Sequence, residues 1–182
     1  MTHDLDLDLD LDLDLDRGRD LVRTRRVTWD DPLVGAAVAR RMSGLDYLRA
    51  IAEGTVSPPP IAQLLGMRIV QVEPGRATFE LDVGEHLYNP IGAVHGGVAC
   101  TLLDTVMGCS VHSTLPLGRA YTTLELKVNL VKALTLATPT VSAEGEVITS
   151  GGRIATAAGR IVGPDGTLYA HATTTCLVFP IE

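Results

Sequence analysis

Length, composition and charge place this chain of 182 residues among globular proteins and exclude several functions. The chain is 46% hydrophobic and 20% charged, which is ordinary for a globular domain with one sizeable core. The net charge of -7 comes from the first 16 residues, which hold seven Asp, because the remainder carries 15 basic and 15 acidic residues. A neutral body without a basic stripe argues against nucleic acid as the main partner.

The cysteines and the apolar segments indicate the cellular compartment in which we expect the protein. Cys100, Cys109 and Cys176 lack metal-ligand spacing, so we expect reduced thiols and no metal. The N-terminus is acidic and lacks the apolar segment of a secretory signal. No apolar run is long enough to span a bilayer. We therefore expect a cytoplasmic protein that has no membrane partner and no cofactor.

The N-terminal segment has low complexity. Residues 4–16 alternate Asp and Leu, and residues 17–26 hold five Arg. The alternation has the period of a strand, but the clustered carboxylates repel one another, so we predict disorder over residues 1–26. An edge strand or an interaction tail is the alternative for the repeat. The Arg-rich part is interpreted as a solvated linker.

Residues 27–57 have the pattern of a helical arm. Asp31-Pro32 opens a helical pattern, which resumes after Met42-Ser43-Gly44 and ends at Gly54. The prolines after Ser57 form a stiff connector, and residues 61–65 could add one short helical turn. We predict that the principal domain occupies residues 58–182.

The rest of the chain alternates strands with one long helix. The pattern predicts a helix from His95 to about Leu115, which Pro116 and Gly118 end. The order is β-β-α-β-β-β-β, with strands predicted at Met67–Val72, Arg76–Val83, Ala120–Val131, Thr138–Thr149, Arg153–Val162 and Thr167–Phe179.

The long helix is apolar on nearly every face. A helix of this kind must be buried all round. We therefore predict an α+β fold in which one antiparallel sheet curves around the central helix. The outer face of the sheet, or the rest of the helix, then needs another layer, and a second copy of the chain is its simplest source.

The segment from Asn89 to Asp104 carries the chemistry. Gly96 and Gly97 follow His95 at the predicted helix start, and Asp104 comes nine residues after His95. A helix N-terminus offers free N–H groups that can hold a developing negative charge. A lone acid on an apolar helix costs free energy unless it is paired or takes part in a reaction. Together these features indicate a hydrolase that polarises a carbonyl group and attacks it with help from a carboxylate.

The spacing along this helix predicts a site shared by two chains. The nine residues from His95 to Asp104 make two and a half turns, roughly 13 Å along the axis, and end on the opposite face from the helix start. Gly96 and Asp104 of one helix therefore cannot contact the same carbonyl group. Two antiparallel helices would solve this, because Gly96 of one would face Asp104 of the other and give two equivalent sites per dimer.

These motifs resemble the hotdog-fold acyl-CoA thioesterases of the phenylacetate pathway, the PaaI-like family. The resemblance covers about residues 60–180 and implies the hotdog fold, acyl-CoA hydrolysis and a homodimer or a dimer-of-dimers tetramer. It implies that Asp104 acts as general base or nucleophile while the Gly96 N–H polarises the thioester. The stretches that carry it are Tyr88-Asn89-Pro90-Ile91-Gly92, Val94-His95-Gly96-Gly97, Leu102-Leu103-Asp104 and Tyr121-Thr122-Thr123-Leu124-Glu125-Leu126-Lys127-Val128.

Four further residues are candidates beside Asp104 and Gly96. Asn89 is expected to orient the attacking water or the loop, with a plain turn residue as the alternative. His95 is expected to position the site, either by capping the helix or by packing beside the thioester. Related enzymes place a hydroxyl group that holds the acid or the water at the position of Thr122, and Thr123 is the adjacent candidate.

The chain departs from related enzymes at one position. Some hotdog thioesterases have a hydroxyl residue one helical turn after the acid, where this chain has Gly108. The turn at Gly152 and Arg153 could contact the phosphates of coenzyme A, with an ordinary surface hairpin as the alternative. Arg119, Lys127 and Lys132 are weaker candidates for that contact.

Two other functions remain open at this stage. A hotdog hydratase or dehydratase acting on acyl thioesters would use His95 as an acid-base group. A non-catalytic acyl-CoA-binding protein is the other possibility. The acyl group is not specified, although the chain holds only two Phe and one Trp, which mildly favours aliphatic substrates.

Overall fold

The computed structural model describes residues 22–181, so most of the predicted disordered segment lies outside the described residues. The described part begins with three short helices, α1 (Pro32–Ala39), α2 (Gly44–Ala52) and α3 (Pro60–Leu65). Side chains cap the first two, since Asp31 accepts from the backbone N–H of Leu33 and Ser43 accepts from that of Asp46.

A six-stranded antiparallel sheet forms the body of the protein. The strand order across the sheet is β1-β2-β4-β5-β6-β3, so β1 and β3 are its edges. The predicted order of strands and helix is confirmed. The strands are β1 (Met67–Glu73), β2 (Arg76–Asp82), β3 (Arg119–Leu130), β4 (Thr140–Ser150), β5 (Ile154–Val162) and β6 (Leu168–Pro180).

The long helix α4 (Gly96–His112) lies across the inner face of this sheet and contacts all six strands. Its side toward the sheet is fully buried and carries Leu102, Leu103, Val106, Met107 and Val111. Its other side carries Thr101, Asp104 and Thr105, which are only half-buried. The sheet of one chain therefore covers one side of the helix, and the helix is not buried all round within a single chain.

The outer face of the sheet is polar. Arg76 pairs with Glu146 at 2.5 Å, and Arg160 pairs with Glu144 at 2.7 Å. Along β2, β4 and β5, buried residues of the inner face alternate with more exposed residues of the outer face. In an antiparallel sheet, this alternation lets one face meet water while the other covers the core. The outer face therefore does not require a further apolar layer.

The N-terminal arm packs onto the body. Leu48 of α2 is 2% exposed, and the Gly44 N–H donates to the carbonyl oxygen of Leu115 at 3.0 Å. In the preceding segment, Arg23 pairs with Glu85 at 2.9 Å and Arg25 donates to the carbonyl oxygen of Leu64 at 2.6 Å. The division at residue 57 stays a prediction.

Candidate active site

The N-terminus of α4 carries the first half of the candidate site. His95 is the N-cap residue, and its Nδ1 accepts a hydrogen bond from the Gly97 N–H at 2.9 Å. The preceding N–H, that of Gly96, has no acceptor within residues 22–181. One backbone donor is thus held by the cap, while the Gly96 donor remains free at the positive end of the helix dipole.

Gly96 packs beside strand β3. A Cβ atom there would lie 2.8 Å from Cδ1 of Leu130, the far end of a side chain that is 59% exposed and can shift. Packing alone therefore does not demand the glycine, but the contact places β3 beside the free N–H. His95 caps the helix, which is one of the two positioning roles predicted for it. When its ring is neutral, the proton is on Nε2, because Nδ1 accepts the hydrogen bond.

Asn89 orders the loop that leads into α4. Its Oδ1 accepts from the Ile91 N–H at 3.0 Å and from the Ala93 N–H at 3.2 Å. Its backbone N–H donates to the carbonyl oxygen of Ala93 at 2.7 Å. These bonds support the loop-ordering role that we considered for Asn89, since its side-chain oxygen already holds two backbone donors of the loop.

Asp104 and Thr123 form the second half of the candidate site. The Thr123 hydroxyl donates to Oδ1 of Asp104 at 2.8 Å, which fixes the carboxylate against β3. No residue of the described range donates to Oδ2. A half-buried carboxylate with one oxygen held and the other free is arranged to accept a proton from water.

The hydroxyl beside the acid comes from Thr123 and not from Thr122. The Thr122 side chain is exposed, while Thr123 points to the helix. A β-bulge between Thr123 and Glu125 shifts the alternation of β3, because Thr123 pairs with Cys176 and Glu125 pairs with the next residue back, Thr175. The structure thus brings together the adjacent candidate and the acid.

The position one turn after the acid is filled by a neighbouring tyrosine. A Cβ atom at Gly108 would lie 2.5 Å from Oη of Tyr121, so the tyrosine hydroxyl lies directly over the glycine. Tyr121 stands in one of the motifs that carry the family resemblance, but no role was predicted for it. The signal was present in the spacing, since Tyr121 and Thr123 are two residues apart on one strand and share a face.

The groups around Asp104 stay neutral near neutral pH. Burial, with a smaller contribution from the Asp104 charge, raises the pKa of the Cys109 thiol to about 12. Burial also holds the pKa of Tyr121 well above its usual value and lowers the pKa of His112. The thiol is therefore protonated and is not available as a nucleophile at neutral pH.

The two halves of the site are separated within one chain. Asn89, His95 and Gly96 line a cavity of about 260 Å³ together with Lys132, and Asp104 is not among the lining residues. Gly96 and Asp104 are eight residues apart on α4, which corresponds to about 12 Å along the helix axis. The structure thus agrees with the spacing argument that one chain does not bring these two groups to a common carbonyl.

The residues that were predicted to contact coenzyme A lie near both ends of α4. The turn with Gly152 and Arg153 lies beside the C-terminal end of α4, where the Thr114 and Ser150 hydroxyl groups are 3.4 Å apart. The Gly152 carbonyl oxygen accepts a hydrogen bond from Arg119. Lys132 is closer to the oxyanion end, because it lines the cavity beside His95, with its Nζ 5.6 Å from the centre of the Tyr169 ring. The role of Gly152 and Arg153 stays a prediction.

Residues 22–181 contain no cluster of three or more His, Cys, Asp or Glu side chains that could ligate a metal ion. None of the helices in the same range has the length and apolar character needed to cross a membrane.

Comparison with known proteins identifies the fold. Residues 91–170 match the Thioesterase superfamily model. A solved structure from Ralstonia eutropha, described as a thioesterase related to phenylacetic acid degradation, is 26% identical. It superposes with a TM-score of 0.65 over 72% of this chain and 98% of its own. The protein therefore has the hotdog fold of thioesterases, as predicted.

Two curated relatives carry hydrolase names. A Saccharolobus solfataricus protein named as an esterase is 27% identical over 127 residues, or 70% of this chain and 89% of the relative. The 1,4-dihydroxy-2-naphthoyl-CoA hydrolase of Listeria monocytogenes is 27% identical over 84 residues, or 46% of this chain and 68% of the relative. The comparisons thus support a hydrolase of the thioesterase type.

Proposed function

We propose that this protein is an acyl-CoA thioesterase of the PaaI-like group, which hydrolyses an acyl thioester to the free acid and coenzyme A. The observation that carries the proposal is the pair of complementary groups on α4. The Gly96 N–H has no acceptor within residues 22–181, and Asp104 is held by Thr123 through one oxygen only. A preorganised donor and a positioned carboxylate are what thioester hydrolysis requires.

The reaction follows from these two groups. The free oxygen of Asp104 takes a proton from water as the water oxygen bonds to the thioester carbon. The carbonyl oxygen becomes an oxyanion, which the N–H of Gly96 of the partner subunit stabilises at the positive end of its helix. The carbon–sulfur bond then breaks, and the coenzyme A thiolate leaves and takes up the proton from Asp104. Direct attack by Asp104 on the thioester carbon is the alternative first step.

A homodimer is part of the proposal. Strand β3 is an edge of the sheet, and Leu124 and Leu130 on it are 57% and 59% exposed. An edge strand with exposed apolar side chains is a template for pairing with another chain. Antiparallel pairing of two β3 strands would place the half-buried sides of two α4 helices against each other in opposite directions. Gly96 of each chain would then approach Asp104 of the other.

A hydrolysis assay with one matched substitution tests this function. Release of free thiol is followed over a panel of acyl-CoA thioesters for the wild type and for Asp104→Asn, which is nearly isosteric and removes the base. We expect measurable hydrolysis by the wild type and a loss of about 10²–10⁴-fold in the variant. The melting temperature and the elution volume of the variant should match the wild type. A variant that keeps more than about a tenth of the wild-type rate would refute the role of Asp104.

The same panel separates the two alternatives. A hydratase or dehydratase would change the acyl group without releasing thiol, and a binding protein would do neither. The hydrogen bond from the Gly97 N–H to Nδ1 of His95 caps the helix but leaves Nε2 available. The measured products, and not this bond, therefore separate hydrolysis from hydration.

A further inference from the structure

A cavity separates the N-terminal arm from the central helix. It has a volume of about 520 Å³, within the range of about 300–1,000 Å³ that is typical of small-molecule sites. Leu48 and Ile51 of α2 and Ile61 of α3 form the arm side. The arm lies outside residues 91–170, which match the family model. One wall of this cavity is therefore supplied by a part of the chain that the family match does not include.

The opposite wall belongs to α4 and β3. Thr105, Cys109 and His112 of α4 line it together with Tyr121, and Phe79 of β2 closes one end. The Tyr121 and His112 rings are 5.6 Å apart between centroids. Tyr47, Phe79 and Tyr121 line this cavity although the chain has few aromatic side chains, so overall composition is a poor guide to the acyl group.

The cavity adjoins the proposed acid. Thr105 directly follows Asp104 on α4, and the Tyr121 hydroxyl lies over Gly108, one turn after Asp104. Tyr121 is also two residues before Thr123, which holds the Asp104 carboxylate. A thioester whose carbonyl lies beside Asp104 could therefore extend its acyl group into this cavity of the same chain, while the coenzyme A portion leaves toward the other side.

We propose that this cavity binds the acyl group, a bulky apolar chain or ring, and that Ile51 of the N-terminal arm and Ile61 of the adjoining helix α3 set the largest acyl group accepted. The inference rests on the proposed function and adds a role for the arm. The side chains that line the cavity are mostly apolar. Each methylene that the cavity admits or excludes therefore changes the ratio of kcat/KM between two substrates by about tenfold or more.

Filling the cavity from the arm side tests this inference. Ile51→Trp and Ile61→Trp would add bulk to the cavity, while Ile148→Trp places the same side chain on β4, where Ile148 is 62% exposed and does not line the cavity. The ratio of kcat/KM for decanoyl-CoA to that for butyryl-CoA is measured for each. We expect the two arm variants to lower this ratio at least about tenfold, and the β4 variant to keep the wild-type ratio.

A binding measurement gives a readout that does not depend on turnover. Titration calorimetry compares S-decyl-coenzyme A with S-ethyl-coenzyme A, two thioethers that cannot be hydrolysed. We expect Ile51→Trp and Ile61→Trp, each checked to be folded, to weaken the binding of S-decyl-coenzyme A at least about tenfold more than that of S-ethyl-coenzyme A. Ile61 is 43% exposed, so its replacement tests the cavity even where Ile51→Trp does not fold.

The outcomes for the cavity and for the function are distinct. Ratios equal to wild type in folded arm variants, for both catalysis and binding, would overturn the acyl-pocket assignment while leaving the hydrolase intact. A wild type that hydrolyses no acyl-CoA would instead refute the proposed function. In that case, decyl binding with the same dependence on the arm variants would still support the cavity as an apolar ligand site.

Discussion

At the scale of single residues, the candidate site depends on small differences in position. The bulge in β3 decides which of two neighbouring threonines reaches Asp104. Strict alternation carried back from Leu126 and Val128, which face inward, would turn Thr122 to the helix and Thr123 outward. The sequence offers no strong sign of this bulge. The acid and the helix start could therefore be predicted from the motif, but the hydroxyl partner could not be fixed.

The threonine pair gives a matched test at this scale. Thr123→Val removes the hydroxyl that holds Oδ1 of Asp104, and we expect kcat to fall by about tenfold because a hydrogen bond to a charged group is lost. Thr122→Val is the control, since Thr122 is exposed and has no contact with the acid. Equal rates for the two variants would show that the Thr123 hydrogen bond does not contribute to the reaction.

At the scale of elements, the predicted helices and strands agree with the structure to within a few residues at their ends. Signals such as Asp31-Pro32 at a helix start and Pro116 with Gly118 at a helix end located the ends, because proline and glycine act through local backbone geometry. Packing between distant elements could not be predicted in the same way. The docking of α2 on α4, with the Tyr47 and His112 rings 5.9 Å apart, depends on contacts 65 residues apart in the sequence. Periodicity shows which face of a helix is apolar, but it does not show which neighbour covers that face.

The docking of the arm predicts a dependence of stability on pH. Burial lowers the pKa of His112 in the folded protein, and the ring packs between Tyr47 of α2 and Tyr121 of β3. The folded state thus favours the neutral ring, whereas the unfolded state protonates it near pH 6.5. The contribution of His112 is full above that pH and is lost as the pH falls below it.

Urea unfolding between pH 7.5 and pH 5 measures this effect. We expect the wild type to lose more stability over that range than His112→Gln, whose side chain does not titrate. The difference between the two proteins isolates His112 from every other group that gains a proton. Parallel curves for the two proteins over the whole range would contradict a buried neutral ring at this position.

At the scale of the whole molecule, the distribution of polar and apolar surface indicates where a second chain would bind. The outer face of the sheet carries paired charges such as Arg76 with Glu146, and exposed pairs of this kind add little stability. The β3 edge carries the exposed apolar residues Leu124 and Leu130, and the half-buried side of α4 carries Asp104, the proposed base. We therefore expect the two subunits to meet along β3 and α4, which is the arrangement that a shared active site requires.

The central claim is that each active site takes Gly96 from one chain and Asp104 from the other. Asp104→Asn removes the base, and Gly96→Val blocks the oxyanion end, because a Cβ atom there would already lie 2.8 Å from Leu130. Each variant alone should be inactive as a homodimer. In a dimer with one chain of each kind, one site carries both lesions and the other carries neither.

Co-expression of the two variants with different affinity tags yields the mixed dimer, and purification over both tags confirms its composition. The thiol-release rate of that dimer is the most direct measurement of the shared site. We expect about half of the wild-type rate per dimer, because one of the two equivalent sites is intact. A confirmed mixed dimer with no recovered activity would contradict the shared site and would confine each active site to a single chain.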